Sequence, residues 1–454
     1  MGLSVIILAA GQGTRMRSSL PKVLHPLAGR PLVQHVLDTV NRLDDATLYV
    51  VYGHGGEKVR EAFPGYGVNW VLQPEQLGTG HAVSQALPQI PDDHTILVVY
   101  GDVPLIGCET LQGLYSCATH GELSVLTTTL DDPHGYGRIL RDSGGRITGV
   151  IEEKDASQSQ RGIREVNTGF MAAPAGLLRR WVGALDNSNA QGEYYLTDII
   201  ALAADEGVTI HGVTAESAYE VQGINDRVQL AALERYFQRK QAEYWLRSGV
   251  TIADPDRFDL RGEMNAGQDV AIDVNVVLEG HVRLGDRVII GPNTVLRNTT
   301  IADDVIVLAN CVIEDAIIDS GSRIGPFSRI RPDTRLHSNT HVGNFVEIKK
   351  SDVGRGSKIN HLSYIGDTSI GQNVNIGAGT ITCNYDGANK YRTTIGNDVF
   401  IGSDTQLVAP VEVHDGATIG AGSTITRDAP AGELTLSRSA QMTRTGWKRP
   451  VKKT

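Results

Sequence analysis

Ile395, Ile401, Leu407, Val413, Ile419 and Ile425 form a run of six aliphatic residues, each six positions after the last. A helix places apolar residues at three and four and an alternating strand at two, so neither fits. A fixed hexapeptide period is the mark of a parallel β-helix, in which short strands coil around a narrow core. Gly396, Gly402 and Gly420 directly follow three of these residues and are expected to form corners. The same register extends back through Ile376, Ile359, Val342, Ile324, Val307 and Ile290 to about Ile272, with occasional steps of five that a corner can absorb. Small or β-branched residues such as Val288, Thr294, Cys311, Ser328, Ser357, Thr405 and Ser423 recur four places later and suit a second inward position. The register breaks over Thr382–Thr393, where a polar insertion of about a dozen residues is expected to be an external, functional loop.

A chain of 454 residues is too long for one core, and the solenoid occupies less than half of it. In residues 1–226 the runs Val5–Ala9, Leu48–Tyr52, Ile96–Tyr100 and Val125–Leu130 read as strands. Pro31 can open a helix that carries Leu32, Val33, Val36, Leu37 and Val40 at helical spacing. This alternation predicts a doubly wound, Rossmann-like parallel sheet. Arg138–Leu140 and Ile147–Ile151, flanking Asp142-Ser-Gly-Gly145, predict an added hairpin. Asn225–Ser248 reads as a helix with Leu230, Leu233, Phe237 and Leu246 on its apolar face and Gly249 as its stop. The fold class is therefore α/β plus β: a doubly wound α/β domain over 1–226, a connector helix over 227–249, and a hexapeptide-repeat domain over 250–454 that ends in the basic tail Lys448-Arg449-Pro450-Val451-Lys452-Lys453.

Composition narrows the functions available. A net charge of −10 and the absence of a broad basic region argue against nucleic-acid or anionic-membrane binding. The apolar run Ser4–Ala10 is too short to span a bilayer and lacks a basic region before it, so a cytoplasmic location is expected. Cys108, Cys117, Cys311 and Cys383 lack metal-type spacing and are expected to be reduced thiols. The aromatic share of only 6% suits a thin β-helix interior.

The first strand runs into Leu8-Ala9-Ala10-Gly11-Gln12-Gly13-Thr14-Arg15-Met16. A glycine-rich turn leaving a strand can turn backbone N–H groups toward phosphate. It is not the dinucleotide fingerprint, since Met16 stands where a third glycine belongs, and no Gly-Lys-Ser/Thr follows as in a P-loop. Arg15 and Pro21-Lys22 add two cations, which suits a triphosphate. Asp102 follows the apolar run Thr95–Tyr100, at a strand end where open α/β sheets bind ligands.

The stretch LAAGQGTRM…PK resembles the signature of sugar-1-phosphate nucleotidylyltransferases, and Gln73, Gly78-Thr79-Gly80, Tyr100-Gly101-Asp102, Gly135-Tyr-Gly-Arg138, Glu152 with Lys154, Asn167-Thr-Gly169 and Asn225 extend the match. Joined to a hexapeptide solenoid, the chain resembles end to end the bacterial family of bifunctional N-acetylglucosamine-1-phosphate uridyltransferase/glucosamine-1-phosphate N-acetyltransferases. The resemblance implies that Asp102 and Asn225 hold Mg²⁺, an ion that takes oxygen ligands and few protein carboxylates. It implies that Leu8, Ala9, Ala10, Gly11, Lys22, Gln73, Gly78, Thr79, Tyr100, Gly101, Gly137, Glu152 and Asn167 bind nucleotide and sugar. Arg15 and Lys22 would neutralise charge while N-acetylglucosamine-1-phosphate attacks the α-phosphorus of UTP.

In the solenoid the resemblance implies that His361 is the general base for acetyl transfer from acetyl-CoA to glucosamine-1-phosphate. An imidazole changes protonation close to neutral pH, which suits that task. Arg331, Lys349, Tyr364 and Asn375 would bind the acceptor, and Ala378, Asn384, Tyr385, Ser403, Ala421 and Arg438 the acetyl-CoA. Taking about 18 residues per coil, Lys349 and Arg331 fall one and two coils from His361. A homotrimer and a role in supplying precursor for peptidoglycan and lipopolysaccharide are further implications. Two rivals stand beside this reading: a nucleotidylyltransferase whose β-helix only assembles subunits, and a scaffold with a degenerate nucleotide site. His361, Lys349 and Arg331 argue against the first, and the presence of Asp102, Lys22 and Arg15 against the second.

Overall fold

The computed structural model describes residues 2–53, 56–118 and 121–452. Lys453, the last cation of the basic tail, therefore lies outside the described residues, as do Met1 and Thr454 at the ends of the expected domains. The chain forms two compact units, Met1–Tyr236 and Phe237–Thr454.

The first unit is built on a sheet whose central strands are Thr95–Tyr100, Leu3–Leu8 and Ala46–Gly53, all parallel. Val68–Gln73 pairs parallel on one side. On the other side Glu165–Pro174 runs antiparallel between Thr95–Tyr100 and Leu123–Thr129, followed by Ile210–Thr214 at the edge. The sheet is thus mixed, where pattern alone predicted parallel strands. The expected hairpin is present as Arg138–Arg141 and Ile147–Ile151, joined to the sheet through Arg138 and Val166. Leu3–Leu8 is buried at every position, because helices cover both faces of the sheet. One of them, Leu32–Val40, buries all five apolar residues of the expected stripe, with Pro31 capping it from outside rather than sitting in its first turn.

The long helix spans Arg227–Arg247, and Gly249 beyond it adopts a left-handed φ of 97°. Its apolar face differs from the expected one. Leu233 is buried but Leu246 is 38% exposed, and Ala242 and Trp245 pack instead into the core of the second unit.

The second unit is a parallel β-helix. Ile272, Ile290, Val307, Ile324, Val342, Ile359, Ile376, Ile401 and Ile419 are successive parallel partners in one wall. Leu278, Leu296, Ile313, Ile330, Ile348 and Ile365 form a second wall, and Leu284, Ile301, Ile318, Leu336, Val353, Ile370, Ile395 and Val413 a third. None of these residues is more than 4% exposed, and each contributes about 2 kcal/mol by leaving water. The small residues of the second inward position are buried as well, and their hydroxyls bond to main-chain oxygens, as Ser357 does to Gly371 at 2.8 Å and Thr405 to Gly402 at 2.7 Å.

The corners correct the expected role of glycine. The residue in left-handed conformation lies three positions after the inward aliphatic residue, and it is often Asn or Asp: Asn275, Asn293, Asp304, Asn310, Asn339, Asn373, Asp398 and Asp404. Where the step is five, it comes one position earlier, as at Asn298, Asp315, Lys350 and Asp367. Short polar side chains tolerate that conformation because they bond to nearby main chain. Gly396, Gly402 and Gly420 do not have positive φ. They are glycine because the next coil lies too close: a Cβ on Gly402 would stand 2.4 Å from Ala421 N, and one on Gly396 2.3 Å from Asp415 Oδ1.

The polar insertion is also shorter than the broken pattern implied. Thr382 pairs with Leu407 and Thr393 with Thr368, so both ends belong to the coil and both side chains are fully buried. Thr382 fills an aliphatic position with a hydroxyl that accepts from Gly366 N at 2.7 Å. The coil step lengthens from 17 residues (Val353 to Ile370) to 25 (Ile370 to Ile395), which adds only eight.

Candidate active sites

A cavity of about 560 Å³ opens at the C-terminal ends of the first unit's parallel strands. Leu8, Ala9, Ala10, Gly11, Lys22, Gln73, Gly78, Thr79, Tyr100 and Asp102 all line it. Its floor depends on glycines under steric constraint. Gly13 has φ 61°, and a Cβ there would lie 2.6 Å from Lys22 Cβ; one on Gly78, at φ 107°, would lie 2.6 Å from Tyr194 O. Gly101 lies behind the loop and donates to Leu8 O at 2.9 Å. Gln73, only 3% exposed, donates to Gly78 O at 3.2 Å.

Lys22 Nζ donates to the Asp102 carboxylate and, at 3.2 Å, to Asn225 Oδ1. Two oxygen acceptors from residues far apart in sequence therefore converge on one cation. Ile224 N, beside Asn225, bonds to Asp102 O at 3.0 Å and fixes the pair. Asp102 and Asn225 offer the oxygen chemistry that a hard divalent ion takes, at a point where an ammonium stands. No cluster of three or more metal-type side chains exists among the described residues, so the remaining ligands would come from phosphate and water. Arg15, on the short turn Thr14–Met16, is exposed and has no ion-pair partner among the described residues.

Gly137, Glu152 and Asn167 meet as a second cluster. Asn167 N bonds to Gly137 O at 2.8 Å, and a Cβ on Gly137 would stand 3.2 Å from Glu152 Oε1. Asn167 Oδ1 is buried without a partner, an orphan acceptor where a ligand hydroxyl or amide could bond. Burial pushes the Glu152 carboxyl above its ordinary range; the Thr197 hydroxyl, 3.0 Å away, works against this, and the Asp198 and Asp155 charges add to it. Burial likewise raises the Tyr100 phenol, helped by the charges of Asp102 and Glu152, so Tyr100 stays protonated between the two clusters. Thr197 and Gln76, whose amide donates to Ala10 O, were not picked out from sequence.

In the solenoid, Asn344, His361, Ala378, Ser403 and Ala421 each lie two positions after the inward residue of the same wall, on successive coils. Main-chain bonds tie the column together: Gly379 N to His361 O at 3.2 Å, Asp404 N to Ala378 O at 2.7 Å and Gly422 N to Ser403 O at 2.8 Å. Arg438 closes it by donating to Ala421 O at 2.7 Å. Three of the six residues assigned to acetyl-CoA thus share one column with His361, and a fourth, Arg438, bonds to its last member. Asn344, unnoticed in the sequence, holds His361 Nδ1 through its Oδ1 at 3.0 Å. An amide oxygen can only accept, so Nδ1 carries the hydrogen and Nε2 is left as the basic atom. The hexad register could have found Asn344, one coil before His361.

Arg331 and Lys349 occupy equivalent positions on successive coils of the neighbouring wall, and Lys349 pairs with Gly366 on the coil that carries His361 and Tyr364. The coil distances expected from sequence hold, but His361 stands across the corner at Leu362 from these cations. Arg331 donates to Glu347 Oε1 at 2.7 Å, a partner sequence reading missed. A Cβ on Gly366 would meet Tyr364 Oη at 2.5 Å and Asn384 Nδ2 at 2.9 Å, which puts Tyr364 and Asn384 together. Tyr385 is 59% exposed on the loop, bridged to Lys390, and Asn375 pairs with Lys358 and Phe400.

Fold and sites together define a nucleotidyltransferase unit followed in the same chain by a hexapeptide-repeat transferase unit. Residues 5–192 match the MobA-like NTP transferase domain, and residues 267–298 and 392–427 match the bacterial transferase hexapeptide (six repeats). The chain is 58% identical over 448 residues to the bifunctional protein GlmU of Alkalilimnicola ehrlichii, covering 99% of this chain and 96% of that one. It belongs to the family of bifunctional GlmU proteins and is a bifunctional transferase. Two solved structures are similar over 53% of the chain: a nucleotidyl transferase from Methanothermobacter thermautotroptrophicus (23% identity, 99% of that chain, TM-score 0.39) and a UDP-glucose pyrophosphorylase complexed with UDP-glucose (15% identity, 100% of that chain, TM-score 0.45).

Proposed function

We propose that the chain makes UDP-N-acetylglucosamine in two steps, acetyl transfer in the solenoid and uridylyl transfer in the α/β unit. The observation that carries this reading is the single column of Asn344, His361, Ala378, Ser403 and Ala421, a base continuous with a groove-like run of small residues. His361 Nε2 takes a proton from the amine of glucosamine-1-phosphate as that nitrogen attacks the thioester carbonyl of acetyl-CoA. The C–N bond forms, the C–S bond breaks and coenzyme A leaves as the thiol. Arg331 and Lys349 hold the sugar phosphate, Tyr364 and Asn375 the sugar, and Ala378, Asn384, Tyr385, Ser403, Ala421 and Arg438 the acetyl-CoA.

In the α/β unit a phosphate oxygen of N-acetylglucosamine-1-phosphate attacks the α-phosphorus of UTP and pyrophosphate departs. The attacking oxygen is already anionic, so positioning and charge neutralisation by Arg15 and Lys22 are the main requirements. Leu8, Ala9, Ala10 and Gly11 cradle the phosphates beside Tyr100 and Gly101, Gln73, Gly78 and Thr79 hold the uracil, and Gly137, Glu152 and Asn167 hold the amino sugar. Asp102 and Asn225 would hold a divalent ion, Mg²⁺ in this reading, which when bound neutralises phosphate charge. Lys22 would then be released toward phosphate.

No helix among the described residues is long and apolar enough to cross a membrane, which accords with a cytoplasmic enzyme supplying cell-wall precursor. A homotrimer is supported by an apolar strip at one corner of the solenoid. Phe327, Phe345 and Leu362 stand there on successive coils at positive φ and are 50%, 56% and 65% exposed. Asn fills the same corner at Asn275, Asn293 and Asn310. Placing bulky apolar residues in that conformation costs about 1 kcal/mol each, a cost that contact with another copy beside His361 would offset.

The test is to supply glucosamine-1-phosphate, acetyl-CoA, UTP and Mg²⁺, omitting each in turn. UDP-N-acetylglucosamine is expected only from the full set, and its formation without acetyl-CoA would sink the two-step reading. Sedimentation of wild type and Phe345→Asn tests the trimer, which the substitution should weaken.

A further inference from the structure

Some charged side chains on the solenoid are paired by opposite charges on the neighbouring coils. Arg297 bonds to Glu279 at 2.8 Å on one side and Glu314 at 2.9 Å on the other, and Arg287 pairs with Asp304 at 2.6 Å. Another column carries basic side chains without such partners. Arg323, His341 and Lys358 are register partners on three successive coils, and none has an ion-pair partner among the described residues. Parallel strands lie about 4.8 Å apart, so Arg323 and Lys358 stand about 10 Å apart with His341 between them. Burial, then the charges of Arg323, Lys358 and His361, push the His341 pKa below its ordinary value. The next rung is Asn375, and the strand Lys358–His361 carries the last cation at one end and His361 at the other.

We propose that Arg323, His341 and Lys358 form a ladder that binds a phosphoryl group of a substrate of the solenoid site. The inference rests on the acetyltransferase reading of His361. Unpaired, exposed cations beside that site are what a dianion needs: charge-assisted bonds and no internal carboxylate to displace. The phosphoryl group belongs either to the amino-sugar phosphate or to the 3′-phosphate or diphosphate of coenzyme A.

Calorimetric titration of the full-length protein separates these sources. Wild type, R323Q/K358Q and the charge-conserving R323K/K358R are each titrated with glucosamine-1-phosphate, coenzyme A and dephospho-coenzyme A. R323Q/K358Q should weaken one phosphorylated ligand by about tenfold or more, since each charge-assisted bond is worth at least a factor of ten, and R323K/K358R should restore most of it. Weakening confined to glucosamine-1-phosphate assigns the ladder to the sugar. Weakening of coenzyme A but not its dephospho form assigns it to the 3′-phosphate, and of both forms to the diphosphate. Unchanged affinities, a wild type that binds none of the three, or a changed sedimentation coefficient of R323Q/K358Q would overturn the proposal; the last would mean that the ladder faces another copy of the chain. Acetyl transfer by wild type and its loss in His361→Ala test the functional reading separately, so the two can fail independently.

Discussion

The two proposed sites are assembled by opposite means. In the α/β unit, Lys22 meets Asp102 and Asn225 across separations of 80 and 203 residues, and strained or crowded glycines at Gly13 and Gly78 shape the approach. In the solenoid, Asn344, His361, Ala378, Ser403 and Ala421 are neighbours because each occupies the same place in a repeating coil. The first site is a set of long-range coincidences held by loops. The second is a property of the period, and any corner position of the right chemistry is automatically aligned with the next. One consequence is that the solenoid can extend or shorten a binding column by whole coils, whereas the α/β site tolerates no such shift.

The sharpest way to break the comparison is to disable each site in turn. His361→Ala should lower acetyl transfer by about 10²–10⁴-fold and leave uridylyl transfer intact. Asp102→Ala should lower uridylyl transfer by about 10²–10³-fold, the usual effect of losing a charge-stabilising group, and leave acetyl transfer intact. Both are read by separate assays for coenzyme A thiol and pyrophosphate. Loss of both activities in either variant would show that the sites are not separately built.

Asn344→Ala asks whether alignment in the column matters beyond the base itself. Without the bond to Nδ1 the imidazole can take either tautomer, so kcat for acetyl transfer should fall about tenfold while KM for acetyl-CoA holds. An unchanged kcat would reduce Asn344 to a corner residue.

The glycines sharpen the contrast further. Gly402→Ala drives a Cβ into the main chain of the next coil, so it should cost the solenoid about 1–3 kcal/mol through overpacking, seen as a lower melting transition with uridylyl transfer unchanged. Gly13→Ala meets a left-handed φ and the stem of Lys22. It should cost about 1–2 kcal/mol and raise KM for UTP, because the displaced group is a proposed phosphate ligand.

What the sequence disclosed follows from the same contrast. The solenoid was readable because one inward residue per hexad repeats many times, and even steps of five declared themselves. It misled at Thr382, where a buried hydroxyl replaces an aliphatic side chain without leaving the register, and at Gly396 and Gly402, where coil spacing rather than turn geometry excludes a side chain. In the α/β unit the glycine-rich loop and central strands were readable locally. The antiparallel strand Glu165–Pro174 was not, because its apolar run carries no mark of direction. Nor could any local pattern connect Asn225 to Lys22; only resemblance to a family singled it out. Asn344, Glu347 and the Arg323–His341–Lys358 ladder needed pairing register, which fixes neighbours that spacing alone leaves ambiguous.

The smallest expected effect concerns Glu152, whose surroundings are typical of the α/β site and have no counterpart in the exposed solenoid column. Burial raises its folded-state pKa above the ordinary glutamate value of 4.5, so the folded chain holds that proton more tightly than the unfolded chain does. The sign follows from linkage: the contribution to stability is fully present below pH 4.5 and is lost as pH rises through the raised value. Glu152→Gln, which keeps the shape and removes the titration, should therefore match wild type in melting temperature at low pH and exceed it progressively toward neutrality. Calorimetry across that range measures the difference. A constant offset would mean that Glu152 carries the same charge in the folded and unfolded chain, and that the cluster of Gly137, Glu152 and Asn167 is open to water like the solenoid column. A widening gap would mean that the α/β site holds a partly desolvated carboxylate against the fold's own interest, ready for a ligand hydroxyl or amide to bond it.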